Sequence, residues 1–560
     1  MDDVDAVQAQ IARNMLDSGD WVTAHLDGVP YLEKSPLKYW LIAVSYAIFG
    51  VHDWAARLPV ALFTVILCWL TARIGSWAVS DRAGLWAGLA LSTCAGLFLF
   101  TRVLIPDAIL TLAVTLAIWS FMRALEPDEQ HPSRWAATMA ASIAIGLLLK
   151  GLIAAVFPIG AAVVYLAVTR QLFLGRTWQR LHPFSGALIV TAIAAPWHAL
   201  ATIRNPPIFY WSMHSGPGEY HGFFWFYFMN EHVLRFLNLR YPRDYNTVPR
   251  LWFWLFHLLW LFPWSVFLPA VAKLSYKPID RAGRLRLLAL CWTGFILVFF
   301  TFSSTQEYYS MPCYPALALL IGCAIAAGGR WIRFGQVVLC VLSGLATVIV
   351  AVILTQVWIR PTPGDISTAL TQHPDVYTLS LGHMGDLTLA SFAYLRTPLM
   401  VAGIAFPIGA TAFLWRKPFF AFAVMMLLFV HAARLALVAF DPYLSSRPLA
   451  DALLKAPPGE LIEDNAYYTF SSVFFYTNRH ALLVNGRKTN LEYGSYAPGA
   501  PAVFIDDAEF QRLWSRSSRF YLLVEGPTLP HYQSLVGPDA LQIVAAAGGK
   551  YLLTNHARSD

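Results

Sequence analysis

Charged side chains are scarce in this chain: Asp, Glu, Lys and Arg make up 13% of its 560 residues, whereas 57% are hydrophobic. Apolar runs recur from about residue 55 to residue 440, and a run of roughly 18 or more apolar residues can cross a bilayer core as a helix. Backbone polar groups in lipid must be satisfied within their own segment. The sequence therefore predicts a polytopic membrane protein with α-helical spans.

Cysteine is also rare, and its placement excludes two common uses. All six cysteines lie inside apolar runs, without the paired spacing of a metal site or the loop positions of a disulfide framework, so we interpret them as packing residues. The net charge of +7 is explained by membrane topology rather than by a nucleic-acid partner, because basic residues near span ends set orientation.

Twelve segments have the composition of membrane spans. They are residues 55–79, 83–104, 107–124, 134–149, 151–170, 184–203, 251–273, 287–303, 310–327, 335–357, 397–415 and 418–439. Alternate connections between them are rich in Arg and Lys, for example around Arg82, Arg176 and Arg281, which predicts that this face is cytoplasmic. The other connections, which carry most of the unusual polar residues, then lie on the outer face.

The chain is predicted to divide into three parts. They are an outer N-terminal loop with surface helices (1–54), a transmembrane domain (55–440, with outer loops 204–250 and 358–394) and an outer α/β domain (441–560). The short run 36–50 is rich in Tyr and Trp, so we interpret it as a helix along the outer surface. An outer N-terminus without a signal peptide also leads us to expect that a first span is missing from this chain.

The predicted α/β domain contains two kinds of segment. The stretches ELIEDNAYYTFSSVFFYTNRHALLVNG and RFYLLVEGP are predicted to be β-rich. The stretch DDAEFQRLWSR is predicted to be a helix that begins at Asp506 or Asp507 as its cap.

Three acids on the outer face are candidates for catalysis. Asp3 and Asp5 precede a helical pattern, and the alternative is a structural role, since DAVQ is a capping box with Asp5 as N-cap and Gln8 reaching back. Asp107 follows Pro106 between two spans, where it could also cap a helix. Carboxylates brought together at a membrane surface can instead accept a proton from a hydroxyl or hold a divalent cation.

Amines supply the opposite charge on the same face. Lys34 and Lys38 lie in YLEKSPLKYW, and Lys150 ends the run AIGLLLK. An ammonium at the lipid–water boundary is a natural partner for a lipid phosphate. Simpler roles are open too: Lys150 could snorkel from a span end, and Lys38 could serve only to anchor the surface helix.

Two further outer segments contribute polar residues. In FMNEHVLRF, Glu231 and Arg235 are spaced as an i,i+4 pair, and His232 is interpreted as a hydrogen-bonded histidine rather than a metal ligand. In SSTQEYYSMP, Glu307, Tyr308 and Tyr309 form another outer turn, where the tyrosines could be interface anchors. Acids, amines and aromatic residues on one face of a helical bundle suit a lipid-phosphate substrate.

Several motifs together resemble one family of membrane enzymes. The stretch NMLDSGDWVTAHLDGVPYLEKSPLKYW is similar to the first periplasmic loop of the polytopic GT-C glycosyltransferases, in particular the lipid A aminoarabinose (4-amino-4-deoxy-L-arabinose) transferases and the bacterial relatives of dolichyl-phosphate-mannose-protein mannosyltransferases. Further matches are LLLKG, APWHAL, NEHVLRF, YYSMPCYPALALL and NLEYGSY. The resemblance implies a GT-C fold with one more span than the twelve found here, in the bacterial inner membrane, and a C-terminal periplasmic α/β domain.

The resemblance also implies an activity, which is the inverting transfer of a sugar from undecaprenyl phosphate to lipid A or a related envelope acceptor on the periplasmic side. By position it implies that the acidic first-loop motif falls on Asp3 and Asp5, with Asp5 favoured, and that the second acid is Asp107. Direct displacement is expected, with an aspartate that deprotonates or orients the acceptor.

Binding residues are implied in the same way. Tyr31 and Lys34 would line the donor-phosphate pocket with Lys150 nearby, and the periplasmic helix would contribute His232 and Arg235. Glu231, Glu307, Tyr308 and Tyr309 are further candidates for contact with the donor or acceptor. No cofactor is assigned, and the participation of a divalent metal stays open.

The sequence departs from the family pattern at three points. The usual Asp-Glu pair is DDVD here, Gln8 stands where the aminoarabinose enzymes have an aromatic residue, and Thr305 stands where they have a basic one. The first departure leaves the register of the catalytic acid open between Asp3 and Asp5, and the last two concern the sugar and the acceptor more than the reaction. A protein O-mannosyltransferase that uses a polyprenyl-phosphate sugar therefore stays open as the alternative, and a secondary transporter is a weaker one because its charges should lie near mid-span.

Overall fold

An N-terminal unit of two helices and a hairpin precedes the spans. In the computed structural model, which describes residues 1–243, 247–303, 305–370 and 387–556, this unit consists of α1 (Asp3–Ser18), β1 (Ala24–Leu26), β2 (Val29–Tyr31) and α2 (Leu37–Phe49). At 13 residues, α2 is too short to cross a bilayer, which agrees with a surface helix. Part of the predicted loop 358–394 and the last residues of the predicted tail domain lie outside the described residues.

The start of α1 differs from the prediction. Asp2 is the N-cap, and its Oδ1 accepts a hydrogen bond from the Asp5 amide at 2.9 Å. The predicted capping box at Asp5 is therefore wrong, because Asp2 offers the same capping chemistry one turn earlier. The Gln8 side chain does not reach back either, since it accepts hydrogen bonds from Lys38 and Tyr39 of α2.

The helices of the membrane-embedded part follow in order. They are α3 (Asp53–Ala78), α4 (Asp81–Ser92), α5 (Ala95–Arg102), α6 (Asp107–Leu125), α7 (Pro132–Lys150), α8 (Ile153–Val168), α9 (Gly175–Leu181), α10 (Pro183–Arg204), α11 (Gly222–Phe224), α12 (Arg250–Trp260), α13 (Leu268–Val271), α14 (Arg281–Thr301), α15 (Tyr314–Ala327), α16 (Arg330–Val357), α17 (Arg396–Ala410) and α18 (Pro418–Ala439). A π-helix (Trp225–Leu234) follows α11, and a 3₁₀ turn (Glu307–Cys313) precedes α15.

Each of the twelve predicted spans coincides with helix, but fewer than twelve helices are long enough to cross a membrane alone. Among the described residues, eight helices pass by length and composition, or up to ten if each of two bent pairs is one span. The other two predictions fall on α8, with 16 residues, and α17, with 15. The chain is thus a multi-pass membrane protein with eight to ten spans by this measure.

The helix α15 lies at the centre of the bundle. In the span that it forms with the preceding 3₁₀ turn, 89% of the best apolar window is buried, whereas the corresponding share in α16 is 17%. Gly322 of α15 lies directly against α4, and a Cβ there would come within 2.5 Å of the Ala83 carbonyl oxygen. Close backbone approach through small residues is the usual means of packing helices in a membrane.

The two ends of the bundle have different polar clusters. Glu126, which follows α6, is buried and pairs with Arg284 at 2.6 Å and Arg281 at 3.5 Å. Asp107 begins the same helix and pairs with Lys150. A helix rises about 1.5 Å per residue, so these clusters are separated by roughly 28 Å along α6.

The C-terminal part of the chain contains a mixed sheet with helices. Its elements are α19 (Asp441–Leu444), α20 (Arg447–Lys455), β3 (Glu460–Asp464), α21 (Ser471–Thr477), β4 (Leu482–Val484), α22 (Glu492–Ser495), β5 (Phe504–Ile505), α23 (Asp507–Trp514), β6 (Phe520–Glu525), α24 (Leu529–Val536), β7 (Gln542–Ala547) and β8 (Lys550–Thr554). The strand order is β5-β4-β3-β6-β8-β7, with β5, β4, β3 and β6 parallel and β8 antiparallel to both its neighbours.

Two of the local predictions in this part are confirmed, and a third is confirmed only in part. RFYLLVEGP contains β6, and Asp506 caps α23 by accepting a hydrogen bond from the Glu509 amide. The stretch ELIEDNAYYTFSSVFFYTNRHALLVNG contains β3 and β4 as predicted, but its segment SSVFFYT is the helix α21. Its N-terminus meets the Asp3 carboxylate of α1, and a negative charge there favours helix through a long-range contact that local sequence cannot reveal.

Candidate active site

A cavity of about 460 Å³ opens at the end of the bundle where α6 begins and α7 ends. Its polar lining comprises Gln8, Glu33, Lys34, Ser35, Lys38, Asp107, Lys150, Tyr227, Glu231, His232, Arg235, Ser303, Tyr308 and Tyr309. Its apolar lining comprises Ile105, Pro106, Leu110, Leu152, Ile153, Val156, Phe157, Val233, Phe236, Leu237, Phe299, Phe300 and Pro312. A concave site with a cationic end and long apolar walls fits an amphiphile with an anionic head group.

The cavity brings together most, but not all, of the residues that the sequence singled out. Those in the lining are Lys34, Asp107, Lys150, Glu231, His232, Arg235, Tyr308 and Tyr309. Asp3, Asp5, Tyr31 and Glu307 are buried elsewhere and do not line it. The predicted acids are thus separated, because Asp107 alone of the three faces the cavity.

Asp107 is held by an amine rather than used as a helix cap. Lys150 Nζ donates to Asp107 Oδ1 at 2.5 Å, and the Asp107 side chain makes no capping hydrogen bond to α6. The capping alternative is therefore wrong for Asp107. Its Oδ2 atom is buried and has no hydrogen-bond partner among the described residues. This oxygen is free to accept a proton or hydrogen bond from a ligand in the cavity.

The turn between α7 and α8 presents Lys150 to the cavity. Lys150 Nζ lies 4.9 Å from the ring centroid of Tyr308 and 5.0 Å from that of Tyr309, so two aromatic faces hold the ammonium in place. The next residue, Gly151, has φ +75°, and a Cβ there would clash with His232. The sequence LLLKG is thus a tight turn that fixes Lys150, rather than a snorkelling amine at a span end.

Asp5 is enclosed beside the cavity instead of lining it. Its Oδ1 accepts a hydrogen bond from the Leu104 amide at 2.7 Å, and its Oδ2 pairs with Arg57 at 2.5 Å. Burial and the neighbouring Asp2 carboxylate raise the pKa of Asp5, against the effect of Arg57. Because Leu104 belongs to the segment that leads into Asp107, Asp5 positions that segment.

Asp3 and Tyr31 also act on the structure around the cavity. Asp3 Oδ2 accepts hydrogen bonds from Lys550 Nζ at 2.6 Å and Ser446 Oγ at 2.9 Å, which ties α1 to the C-terminal part. Tyr31 donates its hydroxyl hydrogen to Glu33 Oε2 at 3.2 Å. Neither side chain is in contact with the cavity.

A buried ion cluster forms the cavity wall beside Lys34. Arg240, whose side chain is fully buried, bridges Glu33 at 2.9 Å and Glu231, which also pairs with Arg235 at 2.8 Å. Burial alone would raise the pKa of Glu231, but Arg240 and Arg235 outweigh it and hold that pKa well below its usual range. The predicted Glu231–Arg235 pair is confirmed, although it lies in a buried network and not on an exposed helix.

The π-helix sets the direction of the side chains around this cluster. π-helices are rare and occur often at functional sites. Within this one, His232 Nε2 accepts a hydrogen bond from the Leu152 amide at 3.1 Å, so Nδ1 carries the hydrogen that bonds the Tyr227 carbonyl at 2.6 Å. Burial lowers the pKa of His232. It is thus a hydrogen-bonded histidine, as the sequence predicted.

Lys38 does more than anchor the surface helix, so the prediction of an anchor alone is wrong. It is 3% exposed and lines the cavity, and its Nζ donates to Gln8 Oε1 at 2.5 Å and to the Leu104 carbonyl at 3.2 Å. Burial and the nearby Lys34 ammonium lower the pKa of Lys38 to about 7, against the opposing effect of Asp5 and Asp107.

The lowered pKa predicts a pH signature in stability. Between pH 7 and pH 10 the unfolded chain binds a proton at Lys38 that the folded chain lacks, so wild-type stability gains with rising pH over this range. Lys38→Met lacks this gain because methionine does not titrate. The difference in melting temperature between Lys38→Met and wild type (variant minus wild type) is therefore expected to fall from pH 7 to pH 9.5. Lys455→Met, at an exposed position, should follow wild type. Parallel curves for Lys38→Met and wild type would contradict the prediction.

Sequence reasoning did not assign Gln8, Lys38 or Arg240 to the site. Lys38 is four residues after Lys34, which is one helical turn, but Pro36 lies between them and obscures the pattern. Arg240 is in the loop 204–250, and no local signal shows that it pairs with Glu33, more than 200 residues earlier.

Within the described part of the chain, no group of three or more His, Cys, Asp or Glu side chains could hold a metal ion.

Comparison with known proteins identifies relatives of the same kind that the motifs suggested. Residues 33–199 match the family model described as dolichyl-phosphate-mannose-protein mannosyltransferase. Undecaprenyl phosphate-alpha-4-amino-4-deoxy-L-arabinose arabinosyl transferase from Erwinia tasmaniensis is 27% identical over 364 residues, which cover 62% of this chain and 60% of the relative. Arabinosyl transferase 2 of the same description from Pseudomonas fluorescens is 30% identical over 357 residues, covering 61% of this chain and 56% of the relative. The matched region thus spans less than two thirds of these relatives.

The fold extends the similarity over the whole chain. The crystal structure of ArnT from Cupriavidus metallidurans bound to undecaprenyl phosphate superposes with a TM-score of 0.79 at 22% identity and covers 99% of this chain and 94% of that one. The apo structure of the same protein gives a TM-score of 0.77, also at 22% identity. These matches confirm the resemblance seen in the sequence, and they show that the chain has the fold of these solved proteins.

Proposed function

We propose that this chain transfers a sugar from undecaprenyl phosphate to lipid A or a related envelope acceptor, at the periplasmic side of the bacterial inner membrane. The observation that carries this proposal is the cavity, in which amines gather at one end and apolar side chains form the remaining walls. We also propose the division into the parts 1–54, 55–440 and 441–560, with the first and last in the periplasm.

The cationic end suits the phosphate of the donor. Lys34 and Arg235 face the cavity with partly exposed side chains, and Arg235 Nη2 donates to the Tyr309 hydroxyl at 2.9 Å. Fixed cations at a boundary of low dielectric stabilise phosphate oxygens more strongly than they would in water. Phe236, Leu237 and Phe299 continue the wall on the apolar side, where the polyprenyl chain would lie.

The chemistry that fits this arrangement is direct displacement. An acceptor oxygen attacks the anomeric carbon, the bond from that carbon to the phosphate oxygen breaks, and undecaprenyl phosphate leaves with the electron pair. Asp107 Oδ2 takes or orients the acceptor proton. Lys34, Lys150 and Arg235 stabilise the negative charge that develops on the leaving phosphate.

The roles of the other predicted residues are revised in this proposal. Asp5 and Asp3 support the site from outside the cavity, Asp5 through Leu104 and Asp3 through the C-terminal part. Tyr31 supports Glu33. Asp107 is the acid that we propose to act on the acceptor, in place of the favoured Asp5.

The names of the relatives make 4-amino-4-deoxy-L-arabinose the reference sugar for any assay. The match of residues 33–199 to the protein mannosyltransferase family favours transfer to protein as the second candidate. A secondary transporter is disfavoured, because the ionisable lining residues lie at one end of the bundle and not near mid-span.

The proposal is tested by mass spectrometry of envelope lipids from a deletion strain that carries wild-type protein, Lys34→Met, Lys455→Met or no copy. We expect a sugar-sized mass on lipid A, or on another envelope lipid, with wild type and with the exposed-site control Lys455→Met. We expect it to be reduced about tenfold or more with Lys34→Met, because the phosphate loses a charge-assisted partner.

Two results would count against this function. If all four strains have identical envelope lipids while glycoproteomics finds sugar on protein only with wild type, the acceptor is protein, as in the second candidate. If neither lipid nor protein changes, and purified protein in nanodiscs does not bind undecaprenyl phosphate, the sugar-transfer proposal fails.

A further inference from the structure

The motif NLEYGSY has no role in the proposed mechanism, yet it packs against the wall of the cavity. It contains α22 (Glu492–Ser495) of the C-terminal part, and the described lining of the cavity includes no residue of α22. Tyr493 is 1% exposed and belongs to the same buried cluster as Leu32 of the first loop and Phe226 of the π-helix. Helix α22 is therefore in contact with the elements that form the wall.

The Tyr493 side chain fixes the start of the helical segment that leads to Arg235. Its hydroxyl accepts a hydrogen bond from the His221 amide at 2.8 Å and donates one to the Gly222 carbonyl at 3.0 Å. Its ring stacks on Phe226, with the ring centroids 3.9 Å apart. Helix α11 begins at Gly222 and continues without a break into the π-helix, which Arg235 follows. A displacement of Tyr493 would therefore move the segment that carries Arg235.

Glu492 makes a second connection, to the loop that carries Arg240. Its Oε1 accepts a hydrogen bond from the Tyr241 hydroxyl. The Tyr241 backbone is bonded in turn to Asn230 of the π-helix, since its amide donates to Asn230 Oδ1 at 3.0 Å and its carbonyl accepts from Asn230 Nδ2 at 2.5 Å. Arg240, the preceding residue, pairs with Glu231. Glu492 is thus connected through Tyr241 to the ion cluster of the cavity wall.

Gly494 makes a third connection, to the loop that carries Lys34. It lies so close to β2 that a Cβ there would clash with the Pro30 carbonyl oxygen. Lys34 follows Pro30 by four residues, and its Nζ lies 3.9 Å from Glu231 Oε2 of the π-helix. The two elements that carry Lys34 and Arg235, the cations assigned to the donor phosphate, are therefore both in contact with α22.

We propose that Glu492 and Tyr493 are positioning residues of the donor-phosphate site, so that the docking of α22 and the binding of the donor are coupled. This inference rests on the proposed binding of undecaprenyl phosphate by Lys34 and Arg235. Cations that are already held at the correct separation bind a phosphate more tightly, because no freedom of their segments is lost on binding. Coupling of this kind is reciprocal, so donor binding also stabilises the docked position of α22.

The test measures the affinity of full-length protein in nanodiscs for undecaprenyl phosphate. We expect Tyr493→Phe to lower this affinity about fivefold, because the ring stays while the His221 amide and the Gly222 carbonyl lose a buried partner. The matched control is Tyr496→Phe, which removes a hydroxyl from the same motif. The Tyr496 ring contacts Arg487 within the C-terminal part, so this variant should bind as wild type does.

The Tyr241–Glu492 hydrogen bond provides independent variants. Tyr241→Phe and Glu492→Leu each remove it and should weaken binding by a similar factor. Glu492→Gln should bind more tightly than Glu492→Leu, because its amide oxygen can accept the same hydrogen bond. Equal affinities of Glu492→Gln and Glu492→Leu would contradict a role for this bond.

A double variant separates positioning from a general loss of stability. Residues that act through one another have effects that are not additive. Tyr493→Phe combined with Arg235→Met should therefore bind undecaprenyl phosphate nearly as well as Arg235→Met alone. Fully additive losses would show that Tyr493 does not act through Arg235.

The coupling also predicts a signature in the wild-type protein. Undecaprenyl phosphate should slow amide hydrogen exchange severalfold in peptides that contain α22, although α22 does not line the cavity. Peptides from α23 (Asp507–Trp514), in the same C-terminal part, serve as the control and should exchange at an unchanged rate. Equal protection of α22 and α23 would contradict a specific coupling.

The outcomes distinguish this inference from the proposed function. If wild type binds undecaprenyl phosphate and both Tyr493→Phe and Tyr241→Phe bind it equally well, the positioning role fails and the proposed function stands. If wild type does not bind undecaprenyl phosphate, both fail. The exchange measurement on wild type and the affinity of Tyr241→Phe remain decisive if Tyr493→Phe does not fold.

Discussion

Asp107→Asn is expected to lower the rate of sugar transfer by about 10²–10⁴-fold, the usual contribution of a positioned acid–base group. The amide keeps the size of the side chain but cannot take the acceptor proton at Oδ2, and it loses the charge that holds Lys150 Nζ at 2.5 Å. The measurement is single-turnover transfer by purified protein in nanodiscs, with saturating donor. The matched control is Asp81→Asn, an exposed acid at the start of α4.

A second measurement distinguishes chemistry from binding in this variant. Because Lys34, Lys150 and Arg235, the residues assigned to the phosphate, are all kept, the affinity of Asp107→Asn for undecaprenyl phosphate should stay within about threefold of wild type. Asp5→Asn should retain more activity than Asp107→Asn, since Asp5 acts through the position of Leu104. Full activity of Asp107→Asn together with an inactive Asp5→Asn would reverse the assignment of the acid.

Arg240→Met is expected to lower the free energy of unfolding by about 3–5 kcal/mol, because Glu33 and Glu231 lose their fully buried basic partner. Glu33 and Glu231 are 5% and 8% exposed, and the Arg240 side chain is fully buried between them. The measurement is the shift in the unfolding midpoint in detergent, with Arg516→Met as the control at an exposed position.

One charge of each sign can also be removed from the cluster, which provides a stricter test. Replacement of a buried ion pair by uncharged residues of similar volume is often close to neutral. The double variant Glu33→Gln, Arg240→Met leaves the Glu231–Arg235 pair at 2.8 Å in place and should therefore recover much of the stability that Arg240→Met loses. A single variant as stable as wild type, or a double variant less stable than the single one, would show that the cluster does not carry this stability.

The spans were predictable because hydrophobic length is a local property. Every segment predicted from composition coincides with helix, from α3 at the start to α18 at the end. Span number was less predictable, since α8 and α17 are shorter than their apolar runs, and one helix pair bends by 97°. Pro263 lies in that break, and its missing amide cannot continue a helix.

The candidate status of several cavity residues was also predictable. Lys34, Lys150 and Arg235 lie in motifs that resemble a known family, Asp107 was assigned by position from the same resemblance, and all four line the cavity. The prediction for Asp5 was less successful. A helix start was recognised, but the choice between Asp2 and Asp5 as cap depends on the contact of Asp5 with Leu104, which is 99 residues away.

The sequence by itself determined that this is a multi-pass helical membrane protein with acids, amines and aromatic residues gathered on one face, because composition and the spacing of charges between spans act locally. Only the tertiary structure decided which of these residues meet. In the folded chain, Asp3 contacts the C-terminal part and Asp5 is enclosed. Asp107 lines the cavity, and Lys38 is buried against Gln8. The physical reason is that burial and ion pairing depend on contacts between distant segments, which no local pattern encodes.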